Sequence, residues 1–275
     1  MRSDGDVAIQ LAKLAGLELD PWQQDALVLM LGRRADDSWA STECVEIVAR
    51  QNGKGTILEA RVLAGLFLFN EQLQMWSAHE YRTALEAFLR VRTLIDNLAE
   101  EGILGKNDVK ISTTHGSEGL TLATGQRLKF IARSKSSGRG FSGDLVILDE
   151  AFALTRAQHS ALLPTLSARE NPQILYTSSP PLDGDSGEVF EEDFADEAGV
   201  ATGAAGRDEQ ALLADEGLAG GEEGGLAEAV AVGVGSKSCS NGLGLLEYLA
   251  EHGVRKCFVL RKHWTIYPLY IFSYK

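Results

Sequence analysis

Two rhythms of apolar and polar residues alternate along the chain. Val7, Ile9, Leu11 and Leu14 space out a short helix over residues 6–16. Asp20 followed by Pro21 is an N-cap and first-turn pair. It opens a second helix through Trp22, Ala26, Leu27 and Met30 that stops near Gly32. Residues 43–49 alternate and are β-branched, which predicts a strand. A polar, glycine-containing turn follows at 50–55, and then helical spacing over 56–69, with Ile57, Leu58, Val62, Leu66 and Phe67 apolar. The same order recurs as a strand at 73–78 and a helix at 81–99 carrying Leu85, Phe88, Leu89, Val91, Leu94, Ile95 and Leu98. Shorter strands are predicted at 109–112, 120–123 and 128–132, and a buried apolar strand at 144–148. A helix interrupted near Pro164 covers 155–167, and a last strand covers 173–177. Strands alternating with helices predict an α/β fold with a mainly parallel sheet.

Past residue 194 the pattern stops. Residues 195–240 are rich in Ala, Gly, Glu and Asp, and such a stretch buries too little apolar surface to fold, so a disordered acidic linker is expected. Residues 241–275 turn apolar and aromatic again, a tail without a predicted structure. The domains expected are therefore 1–194, 195–240 and 241–275.

Charge refines this division. The formal net charge of the 275 residues is −13, but residues 188–228 alone hold 13 Asp and Glu against one Arg. Residues 229–275 carry +4 and residues 1–187 carry −5. No part has the basic excess of an autonomous nucleic-acid-binding module. The start of the chain is polar and acidic, without a secretory apolar region, and no run of about 18 apolar residues predicts a membrane span. Cys44, Cys239 and Cys257 have no metal-type spacing and suit a reducing cytosol. His79, beside Glu80 at a strand end, has no second His at ligand spacing and reads as part of a helix start.

The chemistry begins at Val48-Ala-Arg-Gln-Asn-Gly-Lys54-Gly-Thr56, where a strand enters a turn and then a helix. A glycine lets backbone N–H groups approach a phosphate, and the helix N-terminus adds partial positive charge. Lys54 can reach the β- and γ-phosphates and a following hydroxyl can hold Mg²⁺. The general G-x-x-x-x-G-K-[ST] pattern is broken twice: Val48 stands at the first glycine, and Gly55 at the hydroxyl position with Thr56 one residue on. One helical residue turns about 100°, so either the loop is one residue wider or the ion is held differently.

About 95 residues later, Asp144-Leu-Val-Ile-Leu-Asp149-Glu150 is an apolar strand ending in two carboxylates. Asp149 is placed to orient Mg²⁺ and Glu150 to polarise an attacking water, the positioning and charge neutralisation that phosphoryl transfer requires. A third strand ends in Thr177-Ser178-Ser179, whose hydroxyls can face a γ-phosphate. An ordinary strand end before a Ser-Ser-Pro turn is the plain alternative. The set predicts a P-loop ATPase.

These segments, together with Pro21-Trp-Gln-Gln24, Trp76-Ser-Ala-His-Glu80 and Ser137-Gly-Arg-Gly-Phe-Ser-Gly-Asp144, resemble the large terminase subunit of tailed bacteriophages over residues 17–190. The resemblance implies a P-loop NTPase of the RecA- and helicase-like ASCE type, powering packaging of double-stranded DNA into a capsid. It implies ATP and Mg²⁺ as cofactors, and a portal protein, a terminase small subunit and a homo-oligomeric ring as partners, in the host bacterial cytoplasm. Residue by residue, it puts Trp22 with Gln23 or Gln24 at the adenine, and Arg50, Gln51, Asn52, Gly53, Lys54, Gly55 and Thr56 around the triphosphate. Asp149, with Thr56, serves the metal, Glu150 the water, and Thr177 and Ser178 the coupling of hydrolysis to motion. Arg139 is the candidate arginine finger, with Arg50 acting in cis as its rival.

Such subunits also carry a nuclease domain, and no nuclease site is legible after residue 194. The chain is accordingly expected to be truncated, or read in a shifted frame beyond that point, and to lack nuclease activity. Two other functions compete: a non-catalytic prophage remnant, and another P-loop DNA motor such as a helicase.

Overall fold

The computed structural model describes residues 2–133, 142–179 and 189, and three later strands. In chain order the elements are β1 (Arg2–Ser3), α1 (Gly5–Leu14), α2 (Pro21–Met30), β2 (Gly32–Arg33), β3 (Glu43–Val48), α3 (Lys54–Phe67), β4 (Leu73–Ala78) and α4 (Tyr81–Glu100). They continue with β5 (Val109–Ser112), β6 (Gly119–Leu122), β7 (Arg127–Ala132), β8 (Leu145–Leu148), α5 (Arg156–Leu162) and β9 (Gln173–Ser178). The later strands are β10 (Val230–Val234), β11 (Lys256–Arg261) and β12 (Leu269–Tyr274). Short 3-10 turns lie at Ala151–Ala153 and Leu163–Thr165.

β3, β9, β8, β4 and β7 run parallel in that order, and β6 and β5 complete the sheet antiparallel. β11 joins β3 in parallel, β12 pairs antiparallel with β11, and β10 pairs antiparallel with β12. The rest of the stretches expected as linker and tail lies outside the described residues.

Both faces of the parallel strands are covered, which is why β4 and β8 read as near-continuous apolar runs. α1, α2, α3 and α4 pack on one face, where Cys44, Trp76, Ile147 and Leu175 point. The other face, with Val45, Ile47, Met75, Val146 and Tyr176, is closed by Ala151, Leu154, Leu162 and Val189. Strand alternation therefore puts Glu46, Asp149 and Thr177 on the face of α3. In register, Glu46 lies opposite Thr177, and Leu148 opposite Tyr176.

Local sequence explains the element ends. Pro21 opens α2 with Asp20 before it, and Gln23 Oε1 accepts the Asp20 N–H at 2.7 Å. The 155–167 helix divides at Pro164, which has no N–H: α5 ends at Leu162 and a 3-10 turn carries Pro164. One boundary bears on function. Lys54 and Gly55 were expected in the turn, yet α3 begins on Lys54 itself. Gly53 takes the left-handed conformation (φ 77°), which closes the loop early enough for the Thr56 N–H to reach the Gly53 carbonyl at 3.1 Å. The β1–β2 ribbon, two residues per strand, was not foreseen, since pairs that short leave no periodicity.

Candidate functional site

The C-terminal ends of β3, β8 and β9 open at one edge of the sheet, where ligands bind in open parallel sheets. From β3 the chain turns through 49–53 into α3. Gln51 (φ 62°) and Gly53 (φ 77°) are both left-handed, the geometry in which successive backbone N–H groups face one concavity. Lys54 stands at the first position of α3, and its Nζ donates to Ser179 Oγ, 3.1 Å away beyond the end of β9.

From β8, Asp149 is 7% exposed and doubly held. Its Oδ1 accepts from Thr177 Oγ1 at 2.8 Å and from the Glu150 N–H at 2.9 Å, and its own N–H donates to the Ser77 carbonyl at 2.8 Å. Glu150 adopts a left-handed backbone (φ 55°, ψ 50°), a costly state for a non-glycine residue that the fold maintains here. Glu150 Oε1 faces Thr83 Oγ1 at 3.4 Å, while Oε2 is buried without a partner among the described residues. An orphaned buried carboxylate oxygen leaves a hydrogen-bond acceptor unfilled.

Lys54 thus meets Ser179 past the end of β9, and Asp149 meets Thr177 of β9 and the Glu150 N–H, at one edge of the sheet. The other expected residues occupy graded positions. Gln23 is buried and its Nε2 donates to the Gly53 carbonyl at 2.9 Å, tying the start of α2 to the loop. Gln24 donates to the Leu19 carbonyl at 2.8 Å, away from the loop, and Trp22 packs half-buried against the core of α1–α4. Arg50 and Gln51 are exposed, and Asn52 and Thr56 half-buried. Ser178 donates to the Ser179 carbonyl at 2.8 Å, so its hydroxyl shapes the strand end, and Ser179 is the serine that meets Lys54. Arg139 lies outside the described residues. At position 55, a Cβ on Gly55 would face Arg90 and Glu59, whereas Thr56 Oγ1 lies toward Gly53.

Sequence reasoning missed four charged residues. Glu46 on β3 is fully buried and neither carboxylate oxygen has a partner among the described residues. Burial pushes its carboxyl well above the ordinary range; Lys54 opposes the rise and Asp149 adds to it. Arg133, after β7, donates to the Ser77 carbonyl at 3.1 Å and the Glu150 carbonyl at 2.8 Å. Burial brings its guanidinium down to about 10 against the pull of Asp149 and Glu150. Glu59 is buried on α3 and Arg90 of α4 pairs with it. The one sequence signal for Glu46 and Glu59 was a charge interrupting an apolar run.

These groups fit a nucleoside triphosphate with Mg²⁺. A left-handed glycine and a lysine open the 14-residue α3, the Asp149 and Glu150 carboxylates follow the end of β8 two strands from β3, and Glu150 Oε2 has no partner among the described residues. Among the described residues no helix is long and apolar enough to cross a membrane.

No family model and no curated protein matches the chain. Solved structures do. The HK97 bacteriophage large terminase superposes with a TM-score of 0.52 at 19% identity, covering 64% of this chain and 38% of that one. A variant of the Thermus phage P74-26 large terminase ATPase domain gives 0.48 at 24% identity, covering 62% and 68%. The large terminase of the thermophilic bacteriophage D6E in complex with ADP gives 0.46 at 16% identity, covering 64% and 42%. Over about 64% of its length the chain thus shares the fold of the HK97 bacteriophage large terminase, a mainly parallel sheet flanked by helices. The chain spans about two fifths of the length of the HK97 protein.

Proposed function

We propose that this chain is the ATP-hydrolysing motor domain of a phage large terminase, and that it powers packaging of double-stranded DNA into a capsid. One observation carries the reading: Lys54 at the start of α3, the Asp149–Glu150 pair at the end of β8 and Thr177 on β9 meet at one edge of the sheet. The terminase-like fold and the order of the motifs along the chain support it.

The residues divide the work. Lys54 and the first N–H groups of α3 hold the outer phosphates and balance their charge. Asp149, with Thr56, would hold Mg²⁺, which when bound neutralises charge across the β- and γ-phosphates. Glu150 accepts a hydrogen bond from the attacking water and aligns its oxygen with the γ-phosphorus. As that P–O bond forms, the bond to the β,γ-bridging oxygen breaks, giving ADP and phosphate, and the water proton leaves toward the carboxylate. Thr177, bonded to Asp149, links the state of the site to β9. Double-stranded DNA, a portal protein, a small subunit and a ring of like chains are the partners this reading implies, with Arg139 as the finger reaching the neighbouring site.

The test is Mg²⁺-dependent ATP hydrolysis by the purified chain, with nucleotide binding measured alongside. Lys54→Ala is expected to lose binding. Glu150→Gln is expected to bind ATP and lose turnover by about 10²- to 10⁴-fold. A wild-type chain that binds no nucleotide with or without DNA overturns the proposal.

A further inference from the structure

The general phosphate-loop pattern places a Ser or Thr hydroxyl directly after the lysine, reaching Mg²⁺. A side chain at that position therefore leaves the helix toward the metal and the outer phosphates. Here the residue is Gly55. A Cβ built on it would lie 3.3 Å from Arg90 Nη2 and 3.7 Å from Glu59 Oε1. The direction a hydroxyl would take is filled by the Arg90 guanidinium from α4 and by the Glu59 carboxylate one turn on along α3.

The pair is built to hold its geometry. The Glu59 side chain is 6% exposed and sits on the second turn of α3; Arg90 reaches it from α4 through Nε. A guanidinium has five N–H donors in a planar fork. Pairing through Nε leaves the Nη groups available, with Nη2 beside Gly55, while 47% of the Arg90 side chain remains exposed. Burial raises the Glu59 carboxyl, Arg90 opposes the rise, and Asp149 reinforces it. The pair thus lies within electrostatic reach of Asp149.

We infer that Arg90 is a phosphate-contacting residue acting in cis, its fork filling the place vacated at Gly55, and that Glu59 is its positioning residue. This rests on the nucleotide-binding reading above and adds a group that the loop motif does not contain. A planar, permanently charged fork suits a pair of phosphate oxygens better than a point charge. Its position beside Gly55, one residue past Lys54, favours the γ-phosphate over the α- and β-phosphates.

The experiment measures Mg²⁺–ATPγS and Mg²⁺–ADP dissociation constants for wild type, Lys54→Ala, Arg90→Gln, Arg90→Lys and Glu59→Gln, with thermal melts of each. Arg90→Gln is expected to weaken ATPγS by about 10- to 100-fold, the size of a lost charge-assisted contact, and ADP by much less. Arg90→Lys is expected to recover part of the loss. Glu59→Gln is expected to shift the ATPγS-to-ADP ratio in the same direction. A lower melting temperature with an unchanged ratio would mean that Arg90 only clamps α4 to α3, and would overturn the inference while leaving the nucleotide reading intact. If wild type binds neither nucleotide, both fall together. Should Arg90→Gln fail to fold, the ratio in Arg90→Lys decides: one equal to wild type in a folded Arg90→Lys chain also overturns it, because a lysine cannot reproduce the fork.

Discussion

Glu46 shows how one side chain can oppose the stability of the fold that holds it. It lies on β3, opposite Thr177 and fully buried, and both carboxylate oxygens lack partners among the described residues. Its carboxyl is raised above the ordinary value of 4.5, by burial first. The consequence has a definite sign. Below the unfolded-state value both states hold the proton and the residue is neutral to stability. As pH rises past that value the unfolded chain releases its proton before the folded one does, so folding is progressively penalised up to the folded pKa. Glu46→Gln removes this penalty at similar volume. Wild type and variant are therefore expected to differ least below about pH 4. The variant should gain on wild type at higher pH, by up to about 1.4 kcal/mol per pH unit within the window. Urea unfolding at several pH values measures it. A difference that stays flat with pH would mean that Glu46 ionises in the folded protein as it does in the unfolded one.

At the scale of elements, α3 has two tasks that pull its sequence in different directions. Its first turn presents Lys54, and its middle must seat on the sheet. Arg61, fully buried, bonds Gln173 Oε1 at 3.0 Å through Nε and pairs with Glu71 at 2.6 Å, while Gln173 Nε2 donates to the carbonyls of Met30 and Ser41. This network joins α2, α3, β9 and the segments leading into β3 and β4. Gly65 leaves room for it: a Cβ there would lie 2.1 Å from Glu71 Oε2 and 2.2 Å from Gln74 Nε2. Gly65→Ala improves helix propensity by about 1 kcal/mol. It also forces apart a buried ion pair, and overpacking of this kind costs about 1–3 kcal/mol, more where a charge loses its partner. Net destabilisation is expected, read as a lower denaturant midpoint; a rise in midpoint would mean that the network moves aside freely. The contrast also marks what the sequence discloses. The β3 span follows from alternation and β-branching, the β8 span from its apolar run, and the start of α2 from Asp20-Pro21, because each depends on neighbours in the chain. The start of α3 on Lys54 depends on one left-handed glycine, Arg61, Glu59 and Arg90 depend on partners 10 or more residues away, and the state of Glu46 depends on burial between α3 and the sheet. Local periodicity holds no record of such pairings, so the motif residues of the site were legible and its charged surroundings were not.

For the whole molecule the issue is how a chain of net charge −13 could work on DNA. A duplex is a dense line of negative charge, and a strongly acidic chain is repelled by it unless its positive groups gather locally. A closed ring gathers them by symmetry, since each local patch is repeated around the axis. The proposed function therefore ties DNA contact, and the finger supplied by Arg139, to assembly. An arginine supplied by a neighbouring chain is worth about 10³- to 10⁵-fold in turnover where it operates in trans. This separates two classes of damage. Lys54→Ala empties its own nucleotide site and leaves Arg139 to serve a neighbour. Arg139→Ala keeps its own site and fails its neighbour. Each variant alone is expected to be inactive. An equal mixture, assembled with DNA, is expected to regain part of the wild-type ATPase activity, because an intact Arg139 from one chain then meets an intact Lys54 site on the next. The activity of the mixture should rise more steeply than linearly with protein concentration, as assembly demands. Failure of the mixture to exceed either variant, while wild type hydrolyses ATP under the same conditions, would place the decisive arginine inside the same chain. Arg50 and Arg90 would then be the residues to exchange next.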